Sequence, residues 1–223
     1  AFEDKVYKNK YNVNSLTLDG NPIQDYVVVY GKDTPAGATV AQSIVDVIAS
    51  ATGYYLPIVN DKEAETALEI IAGKTNRAVS SGISTLPNLS YNVSLQSGKL
   101  VIDCHSADTG DAAVRKLYAA TMSSGGDVAL TSGDLVSGTL LIESEMPLTA
   151  GSDMRIITYN VLTEKWGGTE TSARAEYFGA FLDVYKPDIV GVQEVCDKWR
   201  KYMPERIGNY KLIGTVRKDG GQS

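Results

Sequence analysis

The chain has 223 residues, of which 43% are hydrophobic and 22% are charged, and its formal net charge is -6. This length allows one large domain or two modest ones, and the composition suggests neither disorder nor a coiled coil. The acidic excess lies in residues 1–152, whereas residues 153–223 are nearly neutral, so the charge gives no support for nucleic-acid binding.

Membrane insertion is not indicated by the sequence. No apolar run reaches the ~18 residues that a membrane helix needs, and the polar opening AFEDKVYKNKYN lacks the apolar core of a signal peptide. We therefore expect a soluble chain without a membrane span. The sequence begins at Ala1 rather than at methionine, as in a processed or a shortened protein. It therefore leaves open whether a signal peptide has been removed.

Two cysteines, Cys104 and Cys196, lie far apart and outside any CxxC or metal-binding spacing. We interpret them as two free, partly buried thiols. A disulfide between them would require the two halves of the chain to dock.

The first part of the chain alternates strand-like segments with two amphipathic helical segments. Segments 15–18 and 26–30 flank the turn signal Asp-Gly-Asn-Pro and predict a β-hairpin. Apolar residues at helical spacing, followed by Gly53 at the position of a left-handed C-cap, predict a helix over 36–52. The remaining patterns predict strands over 55–59 and 67–72, a hairpin of 91–95 with 100–104, and a helix over 111–123.

These elements predict an α/β or α+β domain, in which a small sheet carries two helices on one face. Residues 146–152 are rich in Pro, Gly and small polar residues and predict a linker. After it the pattern restarts with a strand over 155–159, a helix, and a strand over 189–195. We therefore predict two domains, 1–147 and 153–223.

The first domain carries a recognisable order of segments. ATGYYLPIVND, ALEIIAGKTNR, the hairpin SYNVSLQSGKLVIDC and the helix DTGDAAVRKLYAATM follow one another between residues 14 and 124. In this order they resemble the accessory N-terminal domain of alpha-glucuronidases and of family 20 glycoside hydrolases, the hexosaminidases. The resemblance implies an accessory module without catalytic residues, and it leaves a carbohydrate contact through this domain open.

Three residues of this domain are candidates for a function. Lys74 and Arg77 follow Gly73 and could contact an anion or a sugar, although ordinary surface charges on a solvated turn are the favoured interpretation. His105 is the only histidine of the chain. It has no Ser, Cys or metal-ligand partner in sequence reach, and we interpret it as structural.

The second domain carries a more specific pattern. It contains MRIITYNVL, then Arg174 at a helix start, then YKPDIVGVQEV. An Asn ends the first strand, a Pro-Asp opens the second, and a Gln-Glu closes it. Together these segments resemble the first βαβ unit of the endonuclease/exonuclease/phosphatase (DNase I-like) superfamily. The resemblance implies that residues 153–223 are a truncated first βαβ unit of a four-layer β-sandwich.

The chemistry of phosphoester hydrolysis explains the residue types at the two strand ends. It requires a hard divalent cation, and carboxylate oxygen is the ligand that Mg²⁺ prefers. We assign Glu194 as the ligand of Mg²⁺ or Mn²⁺ and Asn160 as the catalytic amide that orients it, and we expect the two strands to pair so that these side chains meet. Gln193 lies on the opposite face by strand alternation, Asp188 starts the strand, and Arg174 has no catalytic role.

The function that we expect is that of an N-terminal fragment of a metal-dependent phosphoesterase. Its phosphoester substrate stays open among nucleic acids, sphingolipids and phosphoinositides. The Asp, Asn and His residues that the superfamily supplies from later strands are absent, so we expect the chain as given to be inactive and its metal binding weak or absent. The alternative is a non-enzymatic carbohydrate-binding or scaffolding module. The glycosidase-type domain favours a secreted or cell-envelope protein of bacteria.

Overall fold

The computed structural model describes residues 11–34, 36–140, 154–162 and 170–214. We refer to the first two ranges as the N-terminal region and to the last two as the C-terminal region. The predicted linker, 146–152, lies outside the described residues, and the division into two domains stays a prediction.

Eleven helices and strands of the N-terminal region follow one another in the described residues. They are β1 (Val13–Leu18), β2 (Asn21–Pro22), β3 (Val27–Tyr30), α1 (Gly37–Thr52), β4 (Ile58–Asn60), β5 (Glu69–Ala72), β6 (Ser90–Gln96), β7 (Lys99–Asp103), α2 (Ala107–Thr121), β8 (Gly126–Leu130) and β9 (Gly133–Thr139). The C-terminal region adds β10 (Ile156–Asn160), α3 (Thr171–Tyr185), β11 (Ile189–Gln193) and α4 (Asp197–Tyr202).

A six-stranded sheet with the order β4-β3-β5-β7-β6-β9 forms the centre of the N-terminal region. Its first four strands run parallel to one another, whereas β6 is antiparallel to both of its neighbours. Central parallel strands are covered on both faces and therefore read as continuous apolar runs. The run Val27–Tyr30 has this character, and Val28 and Val29 are both fully buried.

The predicted hairpin of segments 15–18 and 26–30 is wrong. β1 pairs antiparallel with the two-residue strand β2 and parallel with β8, in a separate three-stranded sheet. A 3-10 turn, Ile23–Asp25, redirects the chain after β2, and β3 enters the larger sheet. The physical reason is burial: β3 lacks the alternation of a half-buried hairpin strand, because both of its faces are covered.

Both long helices of the N-terminal region contribute to one apolar core. Ile44 of α1 and Leu117 of α2 belong to the same buried cluster as Val28, Ile70 and Ile102 of the sheet. This confirms a mixed α/β fold. The alternate residues of the strands face the other way, where Val29, Ile71 and Val101 pack with Val79 of a 3-10 helix (Ala78–Thr85).

Local signals set the ends of these helices. Gly53 caps α1 with φ +84°, as the sequence predicted. α2 begins earlier than predicted, at Ala107, because Ser106 and Thr109 form a capping box in which each side chain meets the other residue's backbone N–H.

A buried ion network lies on the sheet face opposite the helices. Glu69 accepts hydrogen bonds from Nε and Nη2 of Arg77, both at 3.1 Å, and from Nζ of Lys99 at 2.6 Å. The side chains of Glu69, Arg77 and Lys99 are 1%, 4% and 8% exposed. Arg77 also donates to the carbonyl oxygens of Asp61 and Glu63. The interpretation of Arg77 as an ordinary surface charge is therefore wrong.

Burial alone would raise the pKa of Glu69, but hydrogen bonds from Lys99, from the backbone N–H of Thr66 and from Arg77 outweigh it and lower the pKa below 4.5. The network thus stabilises the charged carboxylate.

The C-terminal region is a strand-helix-strand unit. β10 and β11 pair in parallel, from Ile156 opposite Ile189 to Asn160 opposite Gln193. An apolar cluster built on Phe178 and Leu182 of α3 and Trp199 of α4 supports them. The strand pairing that the sequence predicted is confirmed, whereas membership of a DNase I-like sandwich stays a prediction.

The two regions touch through α3. Glu176 is fully buried, and its Oε1 accepts a hydrogen bond of 2.8 Å from the backbone N–H of Leu89. Asn88 donates to Asp183 at 3.1 Å and to the carbonyl oxygen of Arg206 at 3.0 Å. Burial raises the pKa of Glu176 above its ordinary value.

Both cysteines are free thiols: Cys104 is buried and Cys196 is half-buried. Burial raises the pKa of Cys104, so this thiol is unreactive at neutral pH. None of the helices in the described ranges is both long and apolar enough to cross a membrane.

The ion network gives the first prediction. Glu69→Gln leaves Arg77 and Lys99 charged and buried without their carboxylate, which lowers the free energy of unfolding by about 3–5 kcal/mol. Urea unfolding at pH 7, followed by circular dichroism, measures this loss. Because the pKa of Glu69 is lowered in the folded state, its contribution is present above pH 4.5 and is lost as the pH falls below it.

The matched control is Asp111→Asn, which breaks an exposed pair on α2 in which Arg115 donates to Asp111 at 2.7 Å. Such a pair contributes less than about 1 kcal/mol. Equal effects of the two substitutions would contradict the importance of the buried network.

Candidate functional site

The two strand-end residues assigned from the sequence lie together. Asn160 ends β10, Glu194 follows β11, and Nδ2 of Asn160 donates a hydrogen bond of 2.8 Å to Oε1 of Glu194. Parallel pairing brings the carboxyl ends of both strands to one edge, so this contact follows from the register. The predicted meeting of the two side chains is confirmed, and their chemical roles stay predictions.

The backbone at this edge is constrained. Glu194 has φ +63° and Leu162 has φ +59°, in the left-handed region that non-glycine residues rarely adopt. Such a conformation costs on the order of 1–3 kcal/mol and persists where the surroundings hold it. Oδ1 of Asn160 contributes by accepting a hydrogen bond from the N–H of Leu162 at 2.8 Å.

Arg174 and Trp199 hold the turn after β10. Nη1 of Arg174 donates to the carbonyl oxygens of Val161 and Leu162, at 2.8 and 2.7 Å, and Nε1 of Trp199 donates to Leu162 at 3.0 Å. The guanidinium lies 5.2 Å from the centre of the Trp199 ring. Arg174 therefore positions the turn that carries Asn160. Sequence reasoning missed Trp199, because only the fold brings α4 beside this turn.

The site supplies one carboxylate and one amide to a divalent cation. Mg²⁺ commonly binds through one or two carboxylates and keeps several waters, so Glu194 with Asn160 fits part of such a site. Within the described ranges, no group of three or more His, Cys, Asp or Glu residues has the geometry to hold a metal.

Two further residues near these strands have local partners. Gln193 donates to the carbonyl oxygen of Gly191 at 2.8 Å. Asp188 accepts a hydrogen bond of 2.6 Å from the N–H of Arg155, at the opposite end of the strand pair. Asp188 thus starts the strand, as the sequence predicted.

The candidates of the N-terminal region separate in the structure. Lys74 is exposed after β5, whereas Arg77 is buried in the ion network. His105 is half-buried after β7, and its Nε2 lies 2.9 Å from the carbonyl oxygen of Leu86, to which it donates as the neutral tautomer. Burial and the charge of Arg206 lower the pKa of His105 to about 4. These contacts agree with a structural histidine.

Neither a protein-family model nor a curated protein matches the chain. Among solved structures, it is similar to a Streptomyces plicatus N-acetyl-beta-hexosaminidase, with 12% identity and a TM-score of 0.33 over 75% of this chain and 30% of that one. It is also similar to the GH20 beta-N-acetylhexosaminidase of Streptomyces coelicolor A3(2), with 14% identity and a TM-score of 0.32 over 79% of this chain and 33% of that one.

The chain thus spans about a third of the length of these enzymes. They belong to the family that residues 14–124 resemble, but similarity at this level carries no argument about activity. The DNase I-like resemblance of residues 153–223 and an exported location stay predictions.

The environment of His105 gives the second prediction. In the folded chain the imidazole stays neutral down to a pH of about 4, because burial and neighbouring cations oppose protonation. Since the chain has one histidine, its ring resonances can be followed by NMR from pH 7.5 to 3.5 without assignment. A titration midpoint near 6.5, the ordinary value for histidine, would contradict the structural interpretation.

Proposed function

We propose that the C-terminal region is the opening βαβ unit of a metal-dependent phosphoesterase, which hydrolyses a phosphodiester or phosphomonoester. The chemical class of this substrate stays open. The observation that carries the proposal is the hydrogen bond between Asn160 and Glu194 at the carboxyl ends of two parallel strands. It joins a carboxylate to a neutral amide at the edge of a sheet, where α/β proteins gather their functional residues.

Glu194 holds the cation in this proposal. A bound Mg²⁺ or Mn²⁺ would supply electrostatic stabilisation of the phosphoryl oxygens. Asn160 fixes Oε1 of Glu194 by its hydrogen bond. Arg174 and Trp199 hold the carbonyl groups of Val161 and Leu162, which directly follow Asn160, so that the amide keeps its position.

A neutral amide suits the position of Asn160. A second carboxylate 2.8 Å from Glu194 would repel it and raise the pKa of one of the pair. The amide donates to Glu194 without adding negative charge to the site. Because Glu194 serves the cation in this proposal, a general acid or base would have to come from other residues, and the inactivity of the chain as given stays a prediction.

The N-terminal region is the accessory part in this proposal. One observation favours the non-enzymatic alternative, a carbohydrate-binding module: Tyr54 and Tyr55 are adjacent, 45% and 78% exposed, between α1 and β4. Tyrosines present a flat apolar ring with a polar tip, which suits a partner that is both apolar and hydrogen-bonding, such as a sugar ring.

The third prediction tests the metal site. We expect Mn²⁺ to broaden the side-chain amide NMR signals of Asn160 and the backbone signals around Glu194. Glu194→Gln keeps an oxygen that accepts from Asn160 but removes the charge, and it lowers the Mn²⁺ affinity at least about tenfold. Asn160→Ala leaves the ligand but removes its orienting partner, for which a loss of about tenfold is typical.

Asp188→Asn is the control, because it removes a carboxylate at the other end of the same strand pair. Its Mn²⁺ titration matches that of the wild-type chain. Broadening that is unchanged in Glu194→Gln, or reduced equally in Asp188→Asn, would contradict the assignment of the site.

The fourth prediction discriminates the alternative. If the chain is a carbohydrate-binding module, a polysaccharide in the gel retards it during affinity electrophoresis, even in the presence of a chelator. Tyr55→Ala abolishes this retardation. The control Tyr177→Ala, which changes an exposed tyrosine of α3, preserves it. If neither variant differs from the wild-type chain, the tyrosine pair is not a sugar platform.

A further inference from the structure

A cleft of about 390 Å³ lies where the two regions meet. One wall consists of the segments that follow β3, β4, β5 and β7. The other wall comes from the start of α3 and from residues 201–206 at the end of α4. Its volume lies at the lower end of the range of small-molecule sites.

The cleft occupies the edge of the sheet at which open α/β proteins bind ligands. Ligands lie outside the carboxyl ends of parallel strands, at the point where the strand order reverses. Here β3 is followed along the chain by β4 on one side, and β5 then pairs with the other side of β3. The reversal therefore lies between the segments that follow β3 and β5.

These two segments are packed tightly together. Oγ1 of Thr34 donates a hydrogen bond of 2.9 Å to the carbonyl oxygen of Lys74. A Cβ atom at Gly31 would lie 2.2 Å from that same oxygen. Only glycine allows this approach, so the backbone that carries Lys74 has a fixed position at the rim of the cleft.

Two cations, Lys74 and Arg206, lie on opposite walls of the cleft. In the described ranges Nζ of Lys74 makes no hydrogen bond or ion pair. The side chain of Arg206 is 15% exposed, and its Nη2 lies 3.9 Å from Oε2 of Glu205. Burial lowers the pKa of Arg206, and the carboxylates of Glu176 and Glu205 oppose this effect only in part. Asn88 holds the carbonyl oxygen of Arg206 at 3.0 Å.

Three carboxylates, Asp33, Asp61 and Glu205, line the same cleft, and each has a partner. Asp33 pairs with Lys62 at 3.2 Å. Asp61 accepts hydrogen bonds from the backbone N–H groups of Lys32 and Asn76, at 3.1 and 3.0 Å. Glu205 pairs with Arg206 at 3.9 Å. Among the described residues, Lys74 therefore faces the cleft without an ion pair.

We propose that this cleft binds a small molecule through an oxyanion, a phosphate or a carboxylate group, held between Lys74 and Arg206. The ammonium of Lys74 supplies a point charge and the guanidinium of Arg206 a planar fork, and both form charge-assisted hydrogen bonds with such a group. Because the two cations come from different regions, the ligand also strengthens the docking of one region on the other.

The experiment titrates the whole chain by isothermal calorimetry at low ionic strength, with inorganic phosphate in one arm and acetate in the other. Binding in the phosphate arm assigns a phosphate-bearing ligand, and binding in the acetate arm alone assigns a carboxylate. Lys74→Ala removes one charge-assisted hydrogen bond and weakens binding about tenfold. Lys116→Ala removes an exposed lysine of α2 outside the cleft and leaves the affinity unchanged.

Arg206→Lys keeps the charge but loses the planar fork, and it also weakens binding, with circular dichroism showing that the variant is folded. The proposal is overturned if neither anion binds. It is overturned equally if Lys74→Ala and Lys116→Ala reduce the affinity to the same extent, since the binding would then reflect the overall charge alone.

Discussion

The buried carboxylate of Glu69 is the interaction on which the N-terminal region depends. Three nitrogens of Arg77 and Lys99 surround it on the face of the sheet opposite α1 and α2. The same guanidinium donates to the carbonyl oxygens of Asp61 and Glu63, so one network joins the sheet to the connection between β4 and β5. Asp61 lies in the wall of the cleft between the regions. The buried ion network on the sheet face thus also holds Asp61 at the edge where we place a ligand.

The two buried glutamates respond to pH in opposite directions. The pKa of Glu69 is lowered, so its contribution to stability disappears as the pH falls below about 4.5. The pKa of Glu176 is raised by burial, so its burial against Leu89 becomes less favourable as the pH rises above 4.5. Protonation of Glu176 in mild acid therefore favours the contact between the regions. At lower pH, protonation of Glu69 weakens the sheet of the N-terminal region.

Sequence reasoning succeeded where the signal was local. Gly53 predicted the end of α1, and the turn residues Ser97 and Gly98, both with positive φ, predicted the pairing of β6 with β7. The meeting of Asn160 and Glu194 was predicted because each residue ends a strand of one βαβ unit.

It failed where the partner lies far along the chain. β1 finds its parallel partner in β8, more than a hundred residues later, and neither β8 nor β9 has the apolar alternation that would have revealed it. Arg77 looked like a surface charge, because nothing near it in the sequence shows that Glu69 and Lys99 are buried beside it. The cleft was missed for the same reason, since its walls come from two regions.

The strand pair β10–β11 has a consequence for the behaviour of the protein in solution. A sheet of two strands is marginal by itself, and here Ile156 and Ile189, directly opposite each other, are 64% and 51% exposed. Amide hydrogens of this pair exchange with solvent sooner than those of the central strands β3 and β5, whose apolar residues are covered on both faces. Among the described strands, we expect the exposed isoleucines to make this pair prone to pairing with a second copy of the chain at high protein concentration.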